Sequence, residues 1–380
     1  MQLTEEQKQI RDVARRFARE RLAPFARRRE QQHGGAAREL LAELGRIGLM
    51  GVLIDPEYGG AGAGYVALSQ VLMEIGAGDG GCSTMLSVHN SLVTMGIQKF
   101  GSEEQKRAHL PAMARGEMLG AFCLTEPDAG SDAAAIRTSA RRKGNRFVLN
   151  GSKQFITSGK SADVALIFAV TDPKAGKKGL SAFLVPTNAP GYRAARIEET
   201  MGQQAFDHCH VVLDDCAVEP GQMLGEEGAG LNIALSNLEG GRIGVGAQAI
   251  GMARAAYEIA LRYAKERRSF GKPIIEHQAV GFRLADMATR LQAAELMVWH
   301  AASLRDAGVP CLKEASMAKL FATEVAERVA HDAIQTLGGY GYLREYEVER
   351  IYRDVRVCEI YEGTSDIQRL VISRQLMAAE

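Results

Sequence analysis

Apolar residues near the N-terminus recur at helical intervals, at Leu3, Ile10, Val13, Phe17 and Leu22, with charged residues between them. That period predicts an amphipathic helix. The preceding TEEQ has the form of an N-cap with an acidic first turn. A second helix is predicted over AARELLAELGRIGLMG, residues 36–51, closed by a glycine. Two more apolar helices lead to Phe100, and GSEEQKRAHLPAM opens a further capped one. Between them, DPEYGGAGAG at 55–64 is glycine-rich. It lacks the Lys-Ser/Thr ending of a phosphate-binding P-loop and has no strand before it, so a structural connection is expected.

Near residue 119 the period changes. RFVLNGSKQFITSG is predicted to be a hairpin turning at Asn150-Gly151. DVALIFAV, LSAFLVP and HCHVVLDDCAVE continue as short strands, the pattern of a small antiparallel barrel or sandwich. From 229 the helical period returns over 229–265, 276–306, 312–337 and 366–378, four long segments that suit an up-and-down bundle. The predicted fold class is therefore α+β. It has an N-terminal helical domain (1–118), a middle antiparallel β-domain (119–228) and a C-terminal four-helix bundle (229–380). This order of elements disfavours a doubly wound nucleotide-binding sheet.

Composition narrows the functions. Lys plus Arg and Asp plus Glu both number 46 in 380 residues, so there is no net field to attract nucleic acid or an anionic membrane. The basic runs Arg27–Arg29 and Arg141–Lys143 read as solvated surface. No apolar run reaches membrane-spanning length, and the first residues lack the apolar core of a signal peptide. No membrane insertion and a cytoplasmic location are expected. The six scattered cysteines suggest buried free thiols in a reducing compartment.

Four stretches could carry chemistry. In EIYEGTSDIQRL, residues 359–370, Gly363 with Thr364 or Ser365 can be helix-start punctuation. That leaves Glu362 unexplained beside Ile360 and Tyr361, because a carboxylate in apolar surroundings is costly unless it is used. LTEPDAGSD offers Thr125, Ser131 and turn N–H groups to a polar ligand, or is a surface loop. RRSFGKPIIEHQ places Arg267, Phe270 and Gln278 around a helix break, where the arginine could meet a phosphate and the aromatic could cover a ring. QTLGGYGY has more glycines than one helix end requires. His208, Cys209 and His210 lack the CxxC or HExxH spacing of a zinc site, so no metal is expected. No G-x-S-x-G nucleophile is present.

Taken in order, LTEPDAGSD, NGSKQFITSG, RRSFGK…EHQ, QTLGGYGY and YEGTS resemble the acyl-CoA dehydrogenase flavoprotein family over nearly the whole chain. The stretches LEGGRIG and YRDVRVCEIYEGTSDIQRLVI look most like short-chain and short branched-chain members. The resemblance implies FAD-dependent α,β-dehydrogenation of an acyl-CoA to the trans-2-enoyl-CoA. Glu362 would be the α-proton base, hydride would pass to flavin N5, and an electron-transferring flavoprotein would take the electrons. Some branches of the family carry the base one residue before the arginine matching Arg242. Gly241 stands there, and Glu239 is a weaker rival.

Carried over residue by residue, Phe122, Leu124, Thr125 and Ser131 line the flavin, and Phe155 and Thr157 flank its ring. Arg267, Phe270 and Gln278 hold the pyrophosphate and adenosine. Gln335, Gly338 and Gly339 reach in from another subunit of a homotetrameric dimer of dimers. Thr364 and Asp366 complete the FAD contacts. Ser131, Glu239, Arg242, Tyr361 and Gly363 meet the acyl-CoA. Fatty acid or branched-chain amino acid catabolism is the implied setting, and an acyl-CoA oxidase or a catalytically idle flavin-fold protein are the alternatives. MGQQAFDHCHVVLDDC departs from the usual LGxRxxxTxxLxFDxV, a change in the β-domain that bears on packing or subunit contact and does not touch Glu362. The position of the distal-carboxylate arginine of glutaryl-CoA dehydrogenases falls on Ser83, so a monocarboxylic substrate is expected.

Overall fold

The structure, a computed structural model, describes residues 2–32 and 38–378. Both predicted capping boxes form. Thr4 accepts from the Gln7 N–H while Gln7 Oε1 accepts from the Thr4 N–H, and this opens α1, Glu5–Phe17. A π-type turn at Ala18–Leu22 carries the chain into α2, Ala26–Gln31. The described part of the second predicted helix is α3, Arg38–Arg46. It stops before Gly48, whose φ of 79° only glycine adopts cheaply; Ala36 and Ala37 lie outside the described residues. Next come α4, Gly64–Gly78, and α5, Gly80–Ser87. A second π-type turn, Val88–Thr94, joins α5 to α6, Met95–Phe100. The Ser102–Gln105 box then starts α7, Glu103–Ala114.

Eight strands form one sheet: β1 Gly120–Cys123, β2 Ser139–Lys143, β3 Arg146–Thr157, β4 Val164–Val170, β5 Leu180–Pro186, β6 Tyr192–Ile197, β7 His208–Val218 and β8 Met223–Leu224. The order is β6-β7-β3-β2-β4-β5-β8, with β1 against β4. Two expectations are corrected. The sheet is mainly but not wholly antiparallel, because β1 and β2 both run parallel to β4. Asn150-Gly151 is not a turn, because β3 continues straight through it. The pair marks a bulge against β7, where Asn150 exchanges hydrogen bonds with Asp215. A Cβ on Gly151 would lie 2.6 Å from Thr138 Oγ1. The true turn lies between β2 and β3 at Gly144-Asn145.

The C-terminal half holds α8 Gly230–Glu266, α9 Gln278–Asp306, α10 Leu312–Leu337 and α12 Ser365–Ala378, close to the predicted segments. It also holds α11 Val348–Arg356, which was not expected. Helix α4 is buried nearly all round, as its mostly apolar sequence requires, with the buried Glu74 paired to Arg15 and Arg254, and it lies against α8. Close approach is bought with glycine: a Cβ on Gly251 would sit 2.0 Å from Met73 O, and one on Gly244 2.5 Å from Ser87 Oγ. Asp306 at the end of α9 accepts from the Tyr65 and Val66 N–H groups at the start of α4. One hydrophobic cluster therefore runs from Leu68 and Val71 through Val245 and Val329 to Phe183 and Leu213 of the sheet.

One buried ion pair ties the LTEPDAGSD loop to the sheet. Lys153 on β3 is wholly buried, and its Nζ donates to Glu126 Oε1 at 2.8 Å and to Leu124 O at 3.2 Å. Glu126 also accepts from the N–H groups of Arg137 and Thr138. Burial works against the Glu126 charge, but Lys153 and these donors outweigh it and hold its pKa down. Removing one partner leaves a buried charge unpaired, at about 3–5 kcal/mol. Lys153→Met is expected to lower the midpoint of thermal unfolding markedly and to make the 124–138 loop protease-sensitive, whereas Arg142→Met, an exposed residue, leaves both unchanged.

Candidate active site

The carboxylate singled out in the sequence lies in a strained turn between α11 and α12. Thr364 Oγ1 accepts from the Ile367 N–H, so the capping role belongs to Thr364. Glu362 has φ 53° and Gly363 φ 91°. A left-handed non-glycine residue costs on the order of 1–3 kcal/mol and persists only where its surroundings enforce it. Two side chains do so: Lys319 Nζ donates to Gly363 O at 2.6 Å, and Gln368 Nε2 donates to the same oxygen at 2.8 Å.

This turn aims the Glu362 side chain at α8. Its Oε2 is buried and has no hydrogen-bond partner. The facing residue is Gly241, where a Cβ would stand 1.9 Å from Oε2. The carboxylate thus occupies the space that a side chain at 241 would need. Burial pushes the Glu362 carboxyl up to about 7, against the pull of Lys319 and Arg242. Raising it from 4.5 corresponds to about 3 kcal/mol. That contribution to folding is intact below the unfolded pKa and is lost as pH rises through about 7. The charged and titratable groups around it are Arg242 and Glu239 on α8, Lys319 on α10, and Cys358, Glu359 and Tyr361 in its own segment.

Glu239, the rival base, sits 2.7 Å from Arg305 and accepts from Cys311 Sγ, so its carboxylate is already engaged by other side chains, unlike Glu362 Oε2. Arg242 is buried and donates to Ser316 Oγ, but its Nε has no partner. The Tyr361 hydroxyl lies 3.5 Å from both Thr84 Oγ1 and Cys358 Sγ. Thr84 in turn donates to Gln203 Oε1 and accepts from Gln248 Nε2. Ser83 points elsewhere: it is buried and its hydroxyl donates to Leu72 O.

The residues expected at a cofactor fall into two groups. The first is on the sheet. Phe122 packs 5.0 Å from Phe168, Leu124 is buried, and Thr125 O accepts from the Gln154 N–H. Next to Gln154, Phe155 takes φ 59° and leaves its ring 65% exposed, close in sequence to Thr157. Ser131 is exposed on the adjoining loop. A large apolar ring held out of a strand beside hydroxyl groups fits a flat heteroaromatic ligand such as flavin. The second group lies at the far end of the bundle. Arg267 stacks over Tyr340 at 5.7 Å, next to Gly338 and Gly339. Gly338 is required by its φ of 61° at the end of α10, whereas a Cβ on Gly339 would meet nothing within 4 Å, so neither backbone nor packing inside the chain explains Gly339. Phe270 is 96% exposed, and Gln278 and Gln335 are also exposed. Arg267 and Gly338–Gly339 therefore share one end of one chain. Among the described residues no hydrogen bond joins this group to the sheet group. Asp366 is exposed at the start of α12.

Sequence reasoning missed Lys319. Its signal was a lone lysine on the buried face of α10, in phase with Ala315, Ala318, Ala322 and Ala326. It also missed Gln203, Gln248, Thr84 and Gln368, whose roles depend on contacts across distant segments. A cavity of about 360 Å³ between Arg27, Glu30, Met201, Arg344 and Arg353 is a charged surface cleft and does not include Glu362. Among the described residues no group of three or more His, Cys, Asp or Glu side chains is placed to hold a metal ion.

The sequence comparisons give the family. The N-terminal, middle and C-terminal domain profiles of acyl-CoA dehydrogenase match residues 4–117, 121–216 and 228–377. The chain belongs to the acyl-CoA dehydrogenase family. It is 46% identical to an acyl-CoA dehydrogenase of Bacillus subtilis, over 99% of both chains. It is 44% identical to an acryloyl-CoA reductase (NADH) of Anaerotignum propionicum, over 99% of this chain and 95% of the relative. It is 42% identical to the rat mitochondrial short-chain specific acyl-CoA dehydrogenase, over 99% of this chain and 91% of the relative.

Among solved structures, butyryl-CoA dehydrogenase of Megasphaera elsdenii superposes with a TM-score of 0.97 at 39% identity, covering 99% of each chain. A chain from a structure described as the electron transferring flavoprotein of Acidaminococcus fermentans gives 0.98 at 43%, covering 100% of each. A glutaryl-CoA dehydrogenase in complex with glutaryl-CoA gives 0.96 at 33%, covering 100% of this chain and 97% of that one.

Two outcomes follow from this geometry. Gly241→Ala is expected to lower turnover at least about a hundredfold with FAD content unchanged, because the base is displaced by a bond length or more. Lys319→Met is expected to move the rising limb of the pH–rate profile, near pH 7 in the parent, upward by about one unit, since removing a cation disfavours the carboxylate. A limb that stays in place would show that Lys319 does not act on Glu362.

Proposed function

We propose that the protein is an FAD-dependent acyl-CoA dehydrogenase that converts a short monocarboxylic acyl-CoA to its trans-2-enoyl-CoA and passes the electrons to an electron-transferring flavoprotein. The observation that carries this reading is the buried, unpartnered Oε2 of Glu362 facing Gly241. FAD, when bound, supplies the hydride acceptor. Every other part of the chemistry belongs to the chain. Glu362 Oε2 takes the α-proton, and a pKa near 7 makes it a far stronger base than a hydrated carboxylate. None of the hydrogen bonds of the described residues uses the Glu362 N–H, which leaves it free to donate to the thioester carbonyl as enolate charge grows. Phe155, Thr157, Phe122 and Thr125 would hold the flavin ring.

The short substrate is supported by the packed cluster of Thr84, Gln203, Gln248, Cys358 and Tyr361 beside the base, and by the names of the short-chain and butyryl-CoA relatives. Because Arg267, Phe270, Gln278, Gln335, Gly338 and Gly339 occupy one end of the bundle, they would act together on a neighbouring subunit's cofactor in a homotetramer. Six free, buried thiols suit a reducing compartment, and a cytoplasmic location is part of the reading; no helix among the described residues is long and apolar enough to cross a membrane. The reductase relative supports a second reading, in which the same site runs toward saturation.

Anaerobic mixing of the FAD-loaded enzyme with a panel of acyl-CoAs tests the proposal. Flavin bleaching is expected with substrates of about four to six carbons, on pocket-scale reasoning. Glu362→Gln should still bind FAD and acyl-CoA but lose several orders of magnitude in rate; turnover within tenfold of the parent relocates the base. Rapid peroxide formation on admitting air would favour an oxidase. Glutaryl-CoA is expected to be a poor substrate, since Ser83 offers no cation, and a kcat/KM at or above that for butyryl-CoA contradicts this. FAD retention should require the oligomer, and a fully loaded monomer would exclude the shared site.

A further inference from the structure

His208 stands where the family pattern usually has threonine, and it joins two parts of the site. Its Nδ1 lies 3.3 Å from Thr157 Oγ1 and its Nε2 lies 3.3 Å from Gln203 O. A carbonyl oxygen can only accept, so Nε2 carries the ring proton. Burial lowers the His208 pKa below its ordinary value, and the ring is neutral with a single N–H. Nδ1 is therefore an acceptor, and the Thr157 O–H must donate to it. Thr157 has one hydroxyl proton, now committed, and only lone pairs remain for a ligand on its other side.

The arrangement is held firmly. Gln203 has φ 56° and is buried, its N–H donates to Asp354 Oδ1 and its Nε2 to Asp354 O. The neighbouring Asp207 Oδ1 is engaged by the Lys160 N–H and Cys209 Sγ and its Oδ2 has no hydrogen-bond partner, so neither oxygen bonds the imidazole, and burial outweighs the pull of this carboxylate on the ring. A threonine at 208 would impose no such polarity, because its hydroxyl rotates and can donate or accept.

We infer that His208 is a positioning residue that fixes the Thr157 hydroxyl as an acceptor toward the flavin, so that this chain favours reduced over oxidised FAD. The inference rests on the reading that Thr157 flanks the flavin ring. Oxidised flavin presents N5 as an acceptor, and two-electron reduction adds a proton there and makes it a donor. An acceptor-only hydroxyl gains a hydrogen bond in the reduced state and none in the oxidised one.

The test is the midpoint potential and the affinity of bound FAD in the parent, His208→Thr, His208→Gln, Thr157→Val and the His208→Thr/Thr157→Val double variant. His208→Thr should lose about tenfold in preference for reduced FAD, about 30 mV lower for a two-electron couple. His208→Gln, whose amide offers one acceptor and one donor, should retain the parent potential. The effect of His208→Thr should vanish in the Thr157→Val background. An unchanged potential in His208→Thr, an equal fall in His208→Gln, or an equal fall in the double variant overturns the inference. If Thr157→Val alone changes neither FAD affinity nor potential, the placement of Thr157 fails and the inference falls with it, while dehydrogenation by Glu362 is judged separately from the anaerobic substrate panel.

Discussion

The site depends on one close contact, the Glu362 carboxylate against the backbone of α8 at Gly241. A desolvated carboxylate is a strong base but an expensive one, and the surrounding structure exists to hold it there. Arg242 and Lys319 supply positive charge from two different helices without forming a direct salt bridge that would neutralise it. Lys319 serves twice, because the same ammonium that stabilises the anion also grips Gly363 O and keeps the turn left-handed. Backbone strain and the pKa of Glu362 are thereby coupled through one buried lysine.

That contact requires α8 to lie close to its neighbours along much of its length. Glycines at 240, 241, 244 and 251 weaken the helix by about 1 kcal/mol each relative to alanine. The loss is offset by the contacts they permit with Tyr65, Glu362, Ser87 and Met73. The N-terminal helices consequently pack on the same helix that faces Glu362. Thr84 on α5 reaches the Tyr361 hydroxyl, and Gln203 links that pair to His208 and so to the sheet. The β-domain and the Glu362 turn are joined by a continuous set of polar contacts, in which Thr84 meets Gln203 and Tyr361 from more than 100 residues away in the chain.

Likeness of fold does not decide the substrate. A glutaryl-CoA dehydrogenase and a butyryl-CoA dehydrogenase superpose on this chain almost equally well. A few side chains distinguish the chemistry that such a scaffold can host. Here Ser83 turns its hydroxyl to a backbone carbonyl, and the positive charges near the base come from Arg242 and Lys319 at the reacting end.

Local signals in the sequence were enough for the helices. Capping boxes at Thr4 and Ser102 and the long periods of α8, α9 and α10 depend on residues within a few positions of each other. The unusual carboxylate was legible too, since an acidic residue in an apolar turn conflicts with its own surroundings. Asn150-Gly151 misled, because the same dipeptide serves a turn or a bulge, and pairing with β7 across 65 residues selected the bulge. Lys319 looked like an ordinary helix residue until its face was packed. Gly241 became meaningful only when Glu362 was brought against it, and His208 only when Thr157 and Gln203 were placed at its two nitrogens. Element type and the oddness of a carboxylate at Glu362 follow from near-neighbour chemistry in the chain. The burial of that carboxylate, the partner of the Thr157 hydroxyl and the close packing of α8 arise from contacts between distant segments, which only the folded structure brings together.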